Sequence, residues 1–163
     1  MRLAIRAIAL LLLFVTGTIL SIPGHGGGES CTIIAYLGSF KIVEEGSKSA
    51  GDQWIWEAEI NGSLVAKWDY IKGFTQNPFI YTSRASTIQL GIKASVTEDD
   101  NFPDKGEREE VIEFECPFLK DSPIRKTLEV TVVEDRGPKG RVESYYTTWQ
   151  FEFVVEPLLV QYH

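Results

Sequence analysis

The sequence predicts an all-β domain, an antiparallel β-sandwich of seven or eight strands. Three observations lead there. From Ile88 to Thr97, Ile88, Leu90, Ile92, Ala94 and Val96 alternate with Gln89, Lys93, Ser95 and Thr97, the period-two pattern of a half-buried strand. Runs of the same kind recur along the chain, separated by short breaks rich in Gly, Pro, Asn and Asp. After residue 24 no stretch sustains the apolar repeat of an amphipathic helix. The unequal strand lengths favour a sandwich over a barrel.

Ahead of the domain, Arg2 and Arg6 precede an apolar run from Ala7 to Leu20, followed by Ser21, Pro23 and Gly24. A basic start, an apolar stretch short for a bilayer span, and small residues after it mark residues 1–24 as a secretory signal peptide. An uncleaved N-terminal anchor is the competing reading, because no clean A-x-A cleavage site follows the apolar run. The expected localisation is secreted, whether extracellular or periplasmic. Residues 25–30, His-Gly-Gly-Gly-Glu-Ser, read as a flexible spacer. Residues 31–163 are long enough for a single domain with one substantial core.

Residues 1–24 carry Arg2 and Arg6 and no acid, so their removal takes the formal charge from −7 to −9 and the length from 163 to 139 residues. Such a surface repels phosphate backbones, which argues against nucleic acid as a partner, and membrane contact is expected only through calcium. In an exported chain Cys31 and Cys116 imply one disulfide. Two unpaired buried thiols are the alternative. Two cysteines with no nearby histidine cannot fill a tetrahedral zinc shell.

Within the domain, Cys31 to Glu44 is the first strand, with Gly38-Ser39 as a bulge, and Glu44 to Asp52 is a polar loop. Trp54, Trp56, Ala58 and Ile60 alternate along the second strand. Asn61-Gly62, a strong hairpin signal, returns the chain through Leu64 to Tyr70. Asn61-Gly62-Ser63 also matches the N-glycosylation sequon, which makes Asn61 a glycosylation candidate. Lys72 to Ser86 is the least regular part, with a turn at Asn77-Pro78 and a short edge strand at Phe79 to Tyr81.

Two long arms then flank an acidic turn, residues 98–107, in which Gly106 permits a tight bend. Pro117 and Pro123 bracket the next bend, and Leu128, Val130 and Val132 mark the strand after it. Glu134 to Arg141 is a second loop. Trp149, Phe151, Phe153 and Val155 face inward on the last long strand, which Pro157 ends, and Leu158 to Tyr162 add a short terminal strand.

If successive strands run antiparallel, their turns alternate between the two ends of the sandwich. The 98–107 turn, the 134–141 loop and the Glu44–Asp52 loop then share one end. Asp99, Asp100, Asp104, Glu107, Glu134 and Asp135 converge there and are the candidate metal ligands. Calcium takes six to eight oxygen ligands in flexible loop geometry, so Ca2+ is the candidate cofactor. The EF-hand spacing is absent. The same residue types also make ordinary solvated turns.

The segments Ser95-Val-Thr-Glu-Asp-Asp and Thr131-Val-Val-Glu-Asp resemble the strand-loop pattern of the C2-like β-sandwiches, over roughly Ile88 to Val155. The resemblance implies acidic loops clustered at one end and holding calcium. Asp99 and Asp100 are adjacent here, where the paired loop aspartates of that family flank one residue, and Arg136 follows Asp135. An immunoglobulin-like sandwich is the other arrangement that fits.

The histidines are His25 in the spacer and His163 at the C-terminus. A histidine-assisted nucleophile therefore has no place in the domain body. Trp54, Trp56, Trp68, Tyr145, Tyr146 and Trp149 are residue types that stack on sugars. Trp54, Trp56 and Trp149 lie in core-facing runs, which leaves Tyr145-Tyr146 as the better exposed candidate. The expected function is a secreted, non-catalytic binding module with recognition at the acidic loop end and a protein or glycan partner. A carboxylate-dependent hydrolase, for example a glycosidase, is one alternative. A structural surface component without a small ligand is the other.

Overall fold

Alternation becomes burial in the computed structural model, which describes residues 31–115 and 122–158. The signal peptide, the spacer, Cys116, the Pro117 side of the second bend and the terminal strand beyond Leu158 lie outside these residues. The strands are β1 (Cys31–Glu45), β2 (Trp54–Ile60), β3 (Ser63–Asp69), β4 (Gly73–Gln76), β5 (Phe79–Ser83), β6 (Thr87–Glu98), β7 (Asp104–Glu115), β8 (Ile124–Asp135) and β9 (Arg141–Pro157). They form a β-sandwich of two antiparallel sheets, ordered β5-β1-β9-β8 and β4-β3-β2-β6-β7.

Nine described strands exceed the expected seven or eight. The addition is β4, whose sequence Gly-Phe-Thr-Gln has one apolar residue and no room for alternation to register. Its Phe74 pairs with Trp68 of β3. After Asn77-Pro78 the chain continues as β5, which pairs with β1 in the other sheet. One short edge therefore serves both sheets. Pro78 has no N–H to give a ladder at the crossing. The Asn77 N–H still donates to the Val65 carbonyl at 2.8 Å, and the Gln76 side-chain amide donates to the Leu37 carbonyl at 2.8 Å, bridging the sheets.

The core lies where the inward faces meet. Ile33, Ala35 and Leu37 of β1 and Trp149, Phe151, Phe153 and Val155 of β9 oppose Trp54, Trp56, Ala58 and Ile60 of β2 and the even positions from Ile88 to Val96 of β6. Trp54 meets Trp149 edge-on at 5.7 Å, and Trp56 meets Phe151 at 5.4 Å. The three tryptophans expected in the core are buried. Offset and edge-to-face packing of this kind adds about 0.5–1.5 kcal/mol per pair beyond area burial.

Local chemistry sets the turns and irregularities. Asn61 and Gly62 have φ of 49° and 74°, the two positive values of a type I′ hairpin turn. Asn61 then ties the hairpin to β6, its side-chain oxygen accepting from the Gly91 N–H at 2.8 Å. The expected bulge near Gly38-Ser39 is present, and a second falls between Ile42 and Glu44.

The acidic turn is tighter than 98–107. β6 runs through Glu98 and β7 starts at Asp104, leaving residues 99–103 as the turn. Gly106 accordingly sits inside β7 instead of at a bend. Its role is close approach: a Cβ there would fall 2.4 Å from the Thr131 carbonyl oxygen of β8. This contact, with a Lys126–Glu110 ion pair at 2.7 Å, draws the outer edges of the two sheets together. Gly106→Ala is expected to lower unfolding free energy by about 1–3 kcal/mol, the usual cost of overpacking. Gly91→Ala, where a Cβ meets nothing closer than 3.6 Å, should change it little. Urea unfolding of both variants measures the contrast.

Candidate functional site at the loop end

Antiparallel pairing places the residue 46–53 loop, the β3–β4 turn, the β6–β7 turn and the β8–β9 connection at one end of the sandwich. Hydrogen bonds and close packing tie them together. The Asp99 N–H donates to the Gln53 carbonyl at 2.9 Å, and the Ala50 N–H donates to the Thr147 hydroxyl at 3.2 Å. The Asp135 N–H donates to the Asp104 carboxylate. The Phe102 ring lies against Gly137, whose φ of +59° and missing Cβ make the approach feasible. Asp99 accepts from the Tyr70 hydroxyl and holds that phenol above its ordinary pKa, after the larger effect of burial.

The six candidate ligands divide. Asp99, Asp100, Asp104, Glu134 and Asp135 are at this end. Asp100 accepts from the Phe102 N–H at 2.6 Å and Asp135 from the Gly137 N–H at 2.8 Å, each stabilising its own turn. Glu107 lies on β7, bonded to Lys93 at 3.4 Å and Lys105 at 3.2 Å. The Lys105 hydrogen bond, reinforced by Lys93, holds its carboxyl below the ordinary range. Glu134 pairs with Arg136 at 2.7 Å. Among the described residues no three His, Cys, Asp or Glu side chains come together in a way that could hold a metal ion. Each loop carboxylate already accepts from a donor of its own.

Sequence reading missed Glu98. It continues the inward parity of β6 after Val96, is cross-strand neighbour to both Trp54 and Asp104, and is 3 % exposed. Its side chain packs against Gly51, and its Oε2 has no hydrogen-bond partner among the described residues. Asp104 is equally buried. The signal was present: an even-numbered residue of β6 belongs inside whatever its charge. Burial raises the pKa of both carboxyls. Asp100 raises both further, while backbone N–H groups of Gln53 and Asp52 act downward on Glu98, as that of Asp135 does on Asp104.

Glu98 and Asp104 have raised pKa values but are closed to substrate. The polar hollow of about 550 Å³ lined by Arg108, Glu110, Thr127, Glu129, Thr131 and Gln150 is open. There Lys126 and then Arg108 hold Glu110 below its ordinary pKa, and Glu129 accepts from Gln150 at 3.1 Å. A glycosidase acid must hold its proton near neutral pH, the opposite condition. The Tyr145 ring carries the Arg136 guanidinium 4.8 Å from its centre and the Lys48 ammonium at 5.4 Å, and Tyr146 donates to Glu44 at 2.6 Å. A sugar face would have to displace those cations.

Apolar side chains complete this end. Ile71 on the β3–β4 turn is 75 % exposed, and Phe102 on the β6–β7 turn is 47 % exposed. Tyr70, next to Ile71 in the chain, and Ile42 and Val43 of β1 are also exposed. The chain matches no protein-family model, and no curated protein matches it.

Glu98 and Asp104 hold protons more tightly in the folded chain than in the unfolded one. Their contribution to stability is complete below the ordinary carboxylate pKa and is lost as pH rises through the raised folded values. Glu98→Gln is expected to raise the melting temperature at pH 7 and to flatten the pH profile above pH 4.5. Thermal unfolding across pH measures this. A variant less stable than wild type at pH 7 would mean that the ionised carboxylate is held by a partner.

Proposed function

We propose that the chain is a secreted, non-catalytic binding module that recognises a protein partner through its loop end. The observation that carries this reading is the pairing of two features at that end. Exposed apolar tips stand on turns that hydrogen bonds and close packing hold in place. Apolar residues on preorganised turns, rimmed by carboxylates, have the make-up of a recognition surface, where buried apolar anchors supply affinity and charge supplies selectivity.

Recognition on this reading is direct. The loop carboxylates satisfy donors within the chain, so calcium is not required to order the loops. Millimolar calcium, with magnesium as control, is therefore expected to leave the melting temperature unchanged. A ligand specific for the folded state, at 100 times its dissociation constant, adds about 2.7 kcal/mol. A calcium-specific rise of that order, lost in Asp99→Ala plus Asp100→Ala, would replace the direct reading with the calcium-dependent one.

The recognition surface is tested by differential capture from the extracellular fraction of the source. Ile71→Asp plus Phe102→Asp is expected to lose the partner that wild type retains. Val111→Asp, on an exposed site of β7 away from the loop end, should retain it. Equal capture by all three sinks the assignment.

Export and a Cys31–Cys116 disulfide belong to the same reading. Cys31 is buried at the start of β1, and β7 ends at Glu115, one residue before Cys116. The mature chain is expected to resist alkylation until reduced. Cys31→Ser should cost about 3–5 kcal/mol, the chain-entropy contribution of a long closed loop. Free thiols in the native exported protein would contradict it.

A further inference from the structure

The motif Asn61-Gly62-Ser63 serves neither the core nor the loop end. The chain holds three asparagines, and only Asn61 has a hydroxyl residue two places on. Pro78 follows Asn77, and Pro103 stands two places after Asn101. The fold accounts for the first two residues of the motif, because Asn61 and Gly62 take the positive φ values of a type I′ turn. It does not account for the third. Ser63 opens β3 opposite Ile60, is exposed, and makes no side-chain hydrogen bond among the described residues. A hairpin of this type asks nothing of that position.

The turn also presents the Asn61 side chain in a way that suits attachment. The Asn61 N–H donates to the Gly91 carbonyl at 2.8 Å, and the Asn61 Oδ1 accepts from the Gly91 N–H at 2.8 Å. With the oxygen held against β6, the amide nitrogen has no hydrogen-bond partner among the described residues. Residues 61–64 are all exposed, and a Cβ at Gly62 would meet nothing within 4 Å. Seven residues of β6 separate Gly91 from Glu98, about 23 Å at the usual strand rise. The turn therefore stands well away from the loop end.

We infer that Asn61 carries an N-linked oligosaccharide. Such transfer requires export, and so rests on the reading of residues 1–24 as a signal peptide. The donor is an oligosaccharide joined to a lipid through pyrophosphate. The Asn61 amide nitrogen bonds to the anomeric carbon, the bond from that carbon to the pyrophosphate oxygen breaks, and the amide gives up one proton as the lipid pyrophosphate leaves. The bonds to Gly91 use the backbone N–H and the side-chain oxygen, so they form equally well with the nitrogen substituted. The glycan is rooted at the head of residues 87–90 of β6, which run past the end of β2 and have no strand on that side among the described residues. A bulky hydrated chain there opposes edge-to-edge pairing with another molecule.

The test takes the exported protein from its source and maps the peptide containing Asn61 by mass spectrometry. Peptide-N-glycosidase in heavy-oxygen water is expected to turn Asn61 into a labelled aspartate and to increase the protein's electrophoretic mobility. The label separates enzymatic release from spontaneous deamidation at Asn61-Gly62 before digestion. Ser63→Ala is expected to abolish the modification and Ser63→Thr to keep it. Neither substitution touches the turn residues or their bonds to Gly91, and melting curves check that both variants fold. An exported protein whose Asn61 is bare, or a modification that persists in Ser63→Ala, overturns the inference and leaves the loop-end reading standing. A chain that is never exported removes the inference and the secreted reading together.

Discussion

The segment from Gly73 to Ser83 belongs to two sheets, and much of the architecture depends on that. By passing from β3's side to β1's side at Asn77-Pro78, it fastens the two sheets covalently along one edge. Along the other edge Gly106 brings β7 onto β8. Both open flanks of the sandwich are thereby narrowed, which limits the unpaired backbone that invites edge-to-edge association. The same crossing sets strand direction. β4 and β5 run the same way and act as one strand in the alternation of turns. The acidic turn, the β8–β9 connection and the residue 46–53 loop consequently reach a common end.

At that end the core meets its polar boundary inside the β6–β7 hairpin. A strand's alternation does not stop where charge begins, so Glu98 follows Val96 inward and its cross-strand neighbour Asp104 goes with it. Burying two carboxyls side by side is costly unless they are bonded or protonated. Backbone N–H groups of the neighbouring loops donate to them, and the pKa of each rises. Loop order and carboxyl protonation are thus linked: the groups that fasten the loops are also the ones whose ionisation opposes burial. The surface loops owe their definition to this buried layer more than to the aspartates at their tips, which close their own turns.

That division explains how the candidate site read from sequence compares with the one in the fold. Asp99, Asp100, Asp104 and Asp135 reach the loop end because turn parity is a counting argument, and the count survived the unforeseen β4. Glu107 instead pairs with Lys93 across the sheet and with Lys105 two residues along its own strand, and Glu134 pairs with Arg136 two residues on. Glu98 was legible in its parity and was passed over for its charge. The exposure of Ile42 and Phe74 had no local signature. Phe40, Ile42 and Phe74 look like core residues in sequence, and their exposure follows from how far β5 extends along β1.

The sequence by itself determined the all-β class, the core faces of β2, β6, β8 and β9, the Asn61-Gly62 hairpin and the bulge near Gly38. Each is a local property: side-chain period, residue size, or a backbone angle that few residues adopt. The tertiary structure alone decided which strand edge stays unpaired, which carboxyls are buried, and why Gly106 must lack a side chain. Those depend on which strands lie opposite one another, and chain neighbours carry no record of a contact between sheets.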